Sequence, residues 1–176
     1  MKKSIVFFDG DGTLWYPKKT KYNKAAHWIY KLPGGNTEHM KHLMMIPGVL
    51  SVLKKLKKLG IITVLLSTHP HASKEADVII NHKVKHFDLG ELFDEVYSTR
   101  PHESSKGDFI VDILKRLKVP KSRALMVGDT YVWDYLSAKN KGIDALLIVA
   151  EYRKDDFNYK RVRRKIGKLK EVLDYI

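Results

Sequence analysis

Ile5-Val6-Phe7-Phe8-Asp9-Gly10-Asp11-Gly12-Thr13-Leu14-Trp15 is the stretch on which the fold turns. Its four leading apolar residues predict a short strand buried on both faces rather than a half-exposed one. The run then stops at two carboxylates one residue apart, with a glycine after each. Nothing in the strand's own stability asks for that ending, whereas the carboxyl end of a parallel strand is where α/β sheets bind ligands. Gly10 and Gly12 allow a sharp turn and a close backbone approach to a ligand. Carboxylates this near to one another repel unless a cation or a proton lies between them, so the pair suggests a metal. The alternative is a hairpin built on an Asp-Gly turn. The following Trp15-Tyr16-Pro17-Lys18-Lys19 does not alternate, and Pro17 interrupts a ladder.

Beyond this strand, residues 16–46 lack clear periodicity and carry Lys18, Lys19, Lys21, Lys24 and Lys31 beside Tyr16, Tyr22, Trp28 and Tyr30. Pro33-Gly34-Gly35-Asn36 marks a turn within them. A segment of this length between core elements reads either as a small cap over the acidic crevice or as a solvated loop. Pro47-Gly48 then opens an amphipathic helix that Gly60 closes, and Ile61–Leu66 is a second buried strand ending in Ser67-Thr68-His69-Pro70. Residues 71–86 are plausible helix, and residues 93–97 form a third strand followed by Ser98-Thr99-Arg100-Pro101. A helix follows Ser104-Ser105-Lys106. A fourth strand, residues 123–127, again ends in acid at Gly128-Asp129-Thr130, with Asp134 on the next helix. A fifth strand spans residues 143–149, and an amphipathic helix closes the chain. This alternation predicts a single α/β domain over residues 1–176, a three-layer sandwich around a mainly parallel five-stranded sheet, with an insertion at about 16–46. In such a sheet the polar groups after strands one, two and four collect at one edge.

Composition narrows the class. A chain of 176 residues that is 44% hydrophobic can bury a full core. It has no cysteine, which excludes disulfides and thiolate metal sites. The opening Met-Lys-Lys-Ser is followed by too short an apolar run for a secretory signal, and no stretch approaches a membrane span, so a cytoplasmic protein with no membrane partner is expected. The net charge of +13 attracts anions and can hold nucleic acid non-specifically; a lysine-rich bias of the kind seen in heat-adapted proteins explains it slightly better.

A phosphate monoester in the crevice would find a complete set of groups. Asp9 and Asp129 suit magnesium, a hard cation that takes oxygen ligands and keeps several waters. One Asp9 oxygen can attack phosphorus to form an aspartyl-phosphate, and Asp11 can protonate the leaving oxygen and then accept a proton from water. Ser67, with Thr68 as the alternative, offers a hydroxyl to a phosphoryl oxygen. Lys106 opposes the negative charge of the transition state, and Asp134 can hold Lys106 or a metal-bound water.

The ordered set Asp9-Gly10-Asp11-Gly12-Thr13, Ser67, Lys106 and Gly128-Asp129 with Asp134 resembles the four motifs of the haloacid dehalogenase superfamily of phosphatases. The first motif is highly specific, while a serine after a strand or a lysine before a helix is common. The resemblance covers the core of the chain and leaves out residues 16–46. It implies the roles just given, a Rossmann-like sheet, magnesium, the Asp11 backbone carbonyl as a further metal ligand, and Thr13 as a supporting residue of the first motif. Dehalogenases of the superfamily lack an acid at the place of Asp11, so its presence favours phosphoryl transfer. The short insertion and the Leu14-Trp15 ending are most similar to the nearly capless magnesium-dependent phosphatases.

Other residues carry weaker signals. Trp15, Tyr16, His69, His71, Arg100 and His102 lie near the expected mouth and can select the leaving group, although a surface role is the more ordinary one for each histidine. A zinc pair of His69 and His71 has little support from its spacing. Trp133 and Tyr135 read as core or helix surface, and Arg161–Lys165 as a solvated helix face. The expected activity is a magnesium-dependent phosphatase acting on a phosphorylated small molecule or macromolecule. Its rivals are a phosphotransferase to an acceptor other than water, a basic nucleic-acid-binding protein or nucleic-acid-end phosphatase, and a catalytically idle binding module. No recognised nucleic-acid motif supports the second of these.

Overall fold

The computed structural model describes residues 2–32, 38–69, 73–99 and 105–176. The turn at Pro33–Asn36 and the side chains of His71, Arg100 and His102 lie outside the described residues. In chain order the strands are β1 (Ile5–Phe8), β2 (Trp15–Pro17), β3 (Leu43–Met45), β4 (Ile62–Thr68), β5 (Glu95–Thr99), β6 (Ala124–Gly128), β7 (Asp144–Ile148) and β8 (Lys165–Ile166). The α-helices are α1 (Val49–Lys58), α2 (Ser73–His86), α3 (Lys106–Arg116), α4 (Ser137–Lys139) and α5 (Phe157–Arg161).

A six-stranded sheet in the order β5-β4-β1-β6-β7-β8 forms the middle layer, and every pairing in it is parallel. The opening strand lies at its centre, which explains why all four of its residues are apolar. Val6 and Phe8 face one layer with Val52, Leu53 and Leu56 of α1, while Ile5 and Phe7 face the other with Ile110, Ile113 and Leu114 of α3. Strand order reverses on either side of β1, so its carboxyl end opens on the crevice between β4 and β6, where such sheets bind ligands.

The sheet has one strand more than the five expected. Lys165 and Ile166 pair with Leu147 and Ile148 at the edge of the sheet. Part of the basic run expected as a solvated helix face is therefore a two-residue edge strand: Ile166 is buried and the charged neighbours face solvent, which keeps the edge from pairing with another chain. The closing segment, expected as an α-helix, winds as a 3₁₀ helix over Leu169–Tyr175. Its two buried residues, Leu169 and Val172, are three apart, the period at which side chains eclipse in that helix.

The insertion begins and ends in the antiparallel pair β2–β3, with Trp15 opposite Met45 and Pro17 opposite Leu43. Among the described residues between them lie the 3₁₀ turns Lys21–Asn23, Ala26–Lys31 and His39–His42. On the opposite side of the crevice, α3 starts at a fixed residue. Ser105 caps it in a reciprocal capping box with Asp108, and the Gly107 amide donates to Ser137 Oγ at 2.7 Å. That contact sets α3 tightly against α4 and leaves Lys106 as the first helical residue, aimed at the strand tips. Ser105→Ala removes the cap and is expected to cost about 1 kcal/mol, read as a lower urea midpoint at unchanged slope.

Candidate active site

The site grows from the turn after β1. The Asp9 amide donates to the Val127 carbonyl at 2.9 Å, so the strand pairing extends to the first carboxylate. Gly10 then turns the chain in a space too small for a side chain. A methyl group there would meet the Trp15 ring at 2.7 Å and Ser67 Oγ at 2.8 Å. Gly12 has φ +86°, and a side chain on it would collide with the Asp129 carboxylate. The two glycines thus draw three strand ends together.

Asp9, Asp129 and Asp134 bring one oxygen each to within 4.8 Å of one another, and all three are buried. Lys106, also buried, donates to Asp9 Oδ1 and to Asp134 Oδ1, the latter at 2.6 Å. The other Asp134 oxygen accepts from the Thr130 amide at 2.9 Å and the Thr130 hydroxyl at 2.6 Å. This reach depends on local winding. Tyr131–Leu136, expected as an ordinary helix, forms a π-helical turn in which the Tyr135 amide bonds back to the Thr130 carbonyl at 3.2 Å. Tyr159 fixes the backbone beside Asp129 by donating to its carbonyl.

Burial pushes the Asp9 carboxyl up to about 7; Lys106 opposes that rise and Asp134 adds to it. Burial, followed by the charges of Asp9 and Asp134, raises Asp129 well above the usual carboxylate range. Burial works against the charge on Lys106, yet Asp134 and Asp9 hold its ammonium above its ordinary value. Asp129 Oδ1 is buried without a hydrogen-bond partner among the described residues. Crowded carboxylates of raised proton affinity and an orphaned oxygen are the donor set a hard divalent cation takes. The residues fit such an ion.

Asp11 belongs to a different set of contacts. Its Oδ1 accepts from Trp15 Nε1 at 2.7 Å and its Oδ2 from the Tyr30 hydroxyl at 2.8 Å. Lys83 Nζ reaches both oxygens, at 3.0 and 3.1 Å. His69 Nε2 lies 3.8 Å from Oδ2. Burial opposes the charge on Asp11, but Lys83 and His69, with the hydroxyl of Tyr30, hold its carboxyl below the usual range. The Asp11 side chain is therefore apart from the acidic triad, while Asp134, expected behind the ligands, contributes an oxygen to it.

Asp9, Asp11, Lys106 and Asp129 line a cavity of about 170 Å³. Thr68 lines it as well; Ser67, ranked first in sequence, instead lies buried beneath Gly10. Thr13 is fully buried in the turn. The insertion brings Ala25, Ala26 and His27 to the cavity, and Trp133, Tyr152 and Arg153 also line it. Trp133 is thus a cavity residue rather than plain helix surface. His69 and Trp15 are buried beneath Asp11, not at the mouth, so a surface role does not describe His69.

Lys83 is the residue that sequence reasoning missed, although a signal was present. It continues the buried stripe Ala76, Ile79 and Ile80 on α2 at helical spacing, and a lysine on an apolar stripe calls for a partner. Tyr152 and Arg153 carried no comparable mark, because they follow the last long strand in an irregular segment.

The family model for haloacid dehalogenase-like hydrolases matches residues 17–148. The chain belongs to that family. The match starts after Asp9–Thr13, so the reading of that motif stands separately on its residues and their placement. A protein of Caldanaerobacter subterraneus subsp. tengcongensis named "Putative pyrophosphatase PpaX" is 30% identical over 112 residues, which is 62% of this chain and 48% of that protein. This chain thus spans about half the length of the curated relative it matches. Among solved structures, a Clostridium difficile protein described as a "Putative Phosphatase" superposes with TM-score 0.73 at 18% identity, covering 99% of each chain. A HAD phosphatase from Thermococcus onnurineus gives 0.70 at 20% identity, covering 99% of this chain and 97% of that one. At these identities the likeness is one of fold. Among the described residues no helix is long and apolar enough to cross a membrane.

Gly12→Ala places a Cβ against Asp129 at a backbone angle that alanine resists. It is expected to lower stability by about 1–3 kcal/mol in urea titration.

Proposed function

We propose that the protein is a magnesium-dependent phosphatase that hydrolyses phosphate monoesters through an aspartyl-phosphate on Asp9. The observation that carries this reading is Lys106 held between Asp9 and Asp134, beside an Asp129 oxygen that lacks a partner among the described residues. A nucleophilic carboxylate, a buried cation and an acidic pocket for a divalent ion are the parts phosphoryl transfer needs. A relative named for pyrophosphate cleavage, the same class of bond-breaking, also supports it.

Asp9, Asp129 and Asp134 would hold the ion together with the Asp11 carbonyl. Bound there, it supplies positive charge that neutralises the carboxylates and the phosphoryl oxygens. An Asp9 oxygen attacks phosphorus as the bond to the leaving oxygen breaks, and that oxygen receives a proton from Asp11, which takes up this proton once the negative charge of the bound phosphate offsets the hold of Lys83 and His69. Water then attacks phosphorus and gives its proton to Asp11, freeing phosphate and restoring the Asp9 carboxylate. Lys106 faces the Asp9 carboxylate throughout, and Thr68, with Ser67 next to it, offers a hydroxyl to a phosphoryl oxygen. His27, Trp133 and Arg153 line the same cavity as Asp9. The shortness of the insertion supports a reading near the scarcely capped members of the family, in which a large leaving group would find room.

Asp9→Asn removes the nucleophile and is expected to reduce phosphate release from p-nitrophenyl phosphate to background while the far-ultraviolet spectrum is unchanged. Full activity in a clean preparation of that variant would sink the covalent route.

Magnesium is expected to raise Tm, and more so at about pH 8 than at about pH 5.5. The sign follows from Asp9, whose folded value of about 7 exceeds the ordinary 3.8. Its contribution without metal is fully present at low pH and lost as pH rises through that folded value. The ion competes with the same proton, so its effect grows in the opposite direction. Differential scanning fluorimetry with magnesium or with EDTA reads this, and Asp129→Asn should abolish the difference.

A further inference from the structure

The contacts around Asp11 exceed what the phosphatase reading requires. Lys83 is a fully buried lysine on the apolar stripe of α2, where a leucine or isoleucine would be the stable choice. Its ammonium is directed entirely at this site. It donates to both Asp11 oxygens and to the Tyr30 hydroxyl, lies 3.4 Å from His69 Nε2, and sits 5.4 and 5.0 Å from the Trp15 and Tyr30 ring centres. Trp15 holds one Asp11 oxygen from the turn after β1, and Tyr30 holds the other from the insertion. Tyr30 in turn packs edge-on against His69 at 5.3 Å and tilted against His39 at 5.4 Å.

We propose that Lys83 is a positioning residue for Asp11, and that Tyr30 makes this positioning depend on the insertion being seated against the core. Asp11 is gripped from three elements at once: the turn after β1, the insertion and α2. A carboxylate with a donor on each oxygen and an ammonium bridging both has no free rotation about its side-chain bonds. The entropy of aiming a proton-transfer group is thereby removed before substrate arrives. The seating of the insertion and the aim of Asp11 are one event, because the same Tyr30 hydroxyl belongs to both.

The inference rests on the phosphatase reading, and leaving-group dependence tests it. p-Nitrophenolate departs without a proton, whereas the alkoxide of glycerol 2-phosphate requires one. Wild type, Lys83→Met and Tyr30→Phe are assayed with magnesium on both compounds. For Lys83→Met, kcat/KM, which reports the steps through departure of the leaving group, should fall about 100-fold on glycerol 2-phosphate and less than about 10-fold on p-nitrophenyl phosphate. Tyr30→Phe should show the same ordering with a smaller loss, about 10-fold on the alkyl ester. Equal falls in kcat/KM on the two compounds, or no fall on the alkyl ester, would overturn the proposal and assign Lys83 to structure alone. Should Lys83→Met fail to fold, Tyr30→Phe combined with Asp11→Asn decides. The tyrosine substitution should add nothing on the alkyl ester once Asp11 is neutralised, and an additive loss would refute the linkage. Wild-type protein inactive on both compounds would remove the phosphatase reading and this inference with it, a result distinct from equal falls in an active enzyme.

Discussion

Carboxylates buried at one sheet edge repel one another, and this site divides that repulsion between two buried lysines. Lys106 takes Asp9 and Asp134, Lys83 takes Asp11, and Asp129 keeps an oxygen that neither cation satisfies. Either lysine alone would leave carboxylates uncompensated in a low-dielectric space, where an unpaired charge is far costlier than at the surface. The partition also separates two chemical duties. Around Lys106 the carboxylates crowd and the proton affinities of Asp9 and Asp129 rise, which suits competition between a cation and protons. Around Lys83 a single carboxylate is surrounded by donors and its proton affinity falls. Two aspartates one residue apart in the chain thus acquire opposite electrostatics from what the fold packs against them.

The central strand and its acidic tip were legible because both follow from one-dimensional signals. An unbroken apolar run marks a strand covered on two faces, and Asp9, Asp129 and Lys106 each lie next to a strand or helix end that the pattern of residues already locates. The gathering of these groups needed only the rule that parallel strands place their carboxyl ends on one side. The six-stranded sheet was less legible, because a two-residue edge strand has too few positions to show a period and Lys165 contributes charge rather than burial. Asp134 was located only roughly, since a π-helical turn leaves no signature in hydrophobic spacing. The partners of Asp11 were hidden for another reason: Trp15, Tyr30, His69 and Lys83 come from four separate stretches, and nothing local to any of them names Asp11. Ser67 and Thr68 show the same limit at single-residue scale, because which of two adjacent hydroxyls meets the cavity depends on where the strand ends.

The pairing of β2 with β3 has a bearing on how such a molecule can change over time. The chain leaves the core at Pro17 and re-enters beside it at Leu43, and the Lys18 amide meets the His42 carbonyl at 2.8 Å just beyond. A loop rooted in adjoining strands can lengthen, shorten or be exchanged while its two anchor points keep their spacing. The turn after β1 would keep its place through such a replacement. Diversification of leaving-group preference is therefore inexpensive in this architecture, with one reservation set by Tyr30: a substitute segment inherits the obligation to present a hydroxyl, or an equivalent donor, to Asp11. The lineage is free to redesign its lid everywhere except at that point of contact.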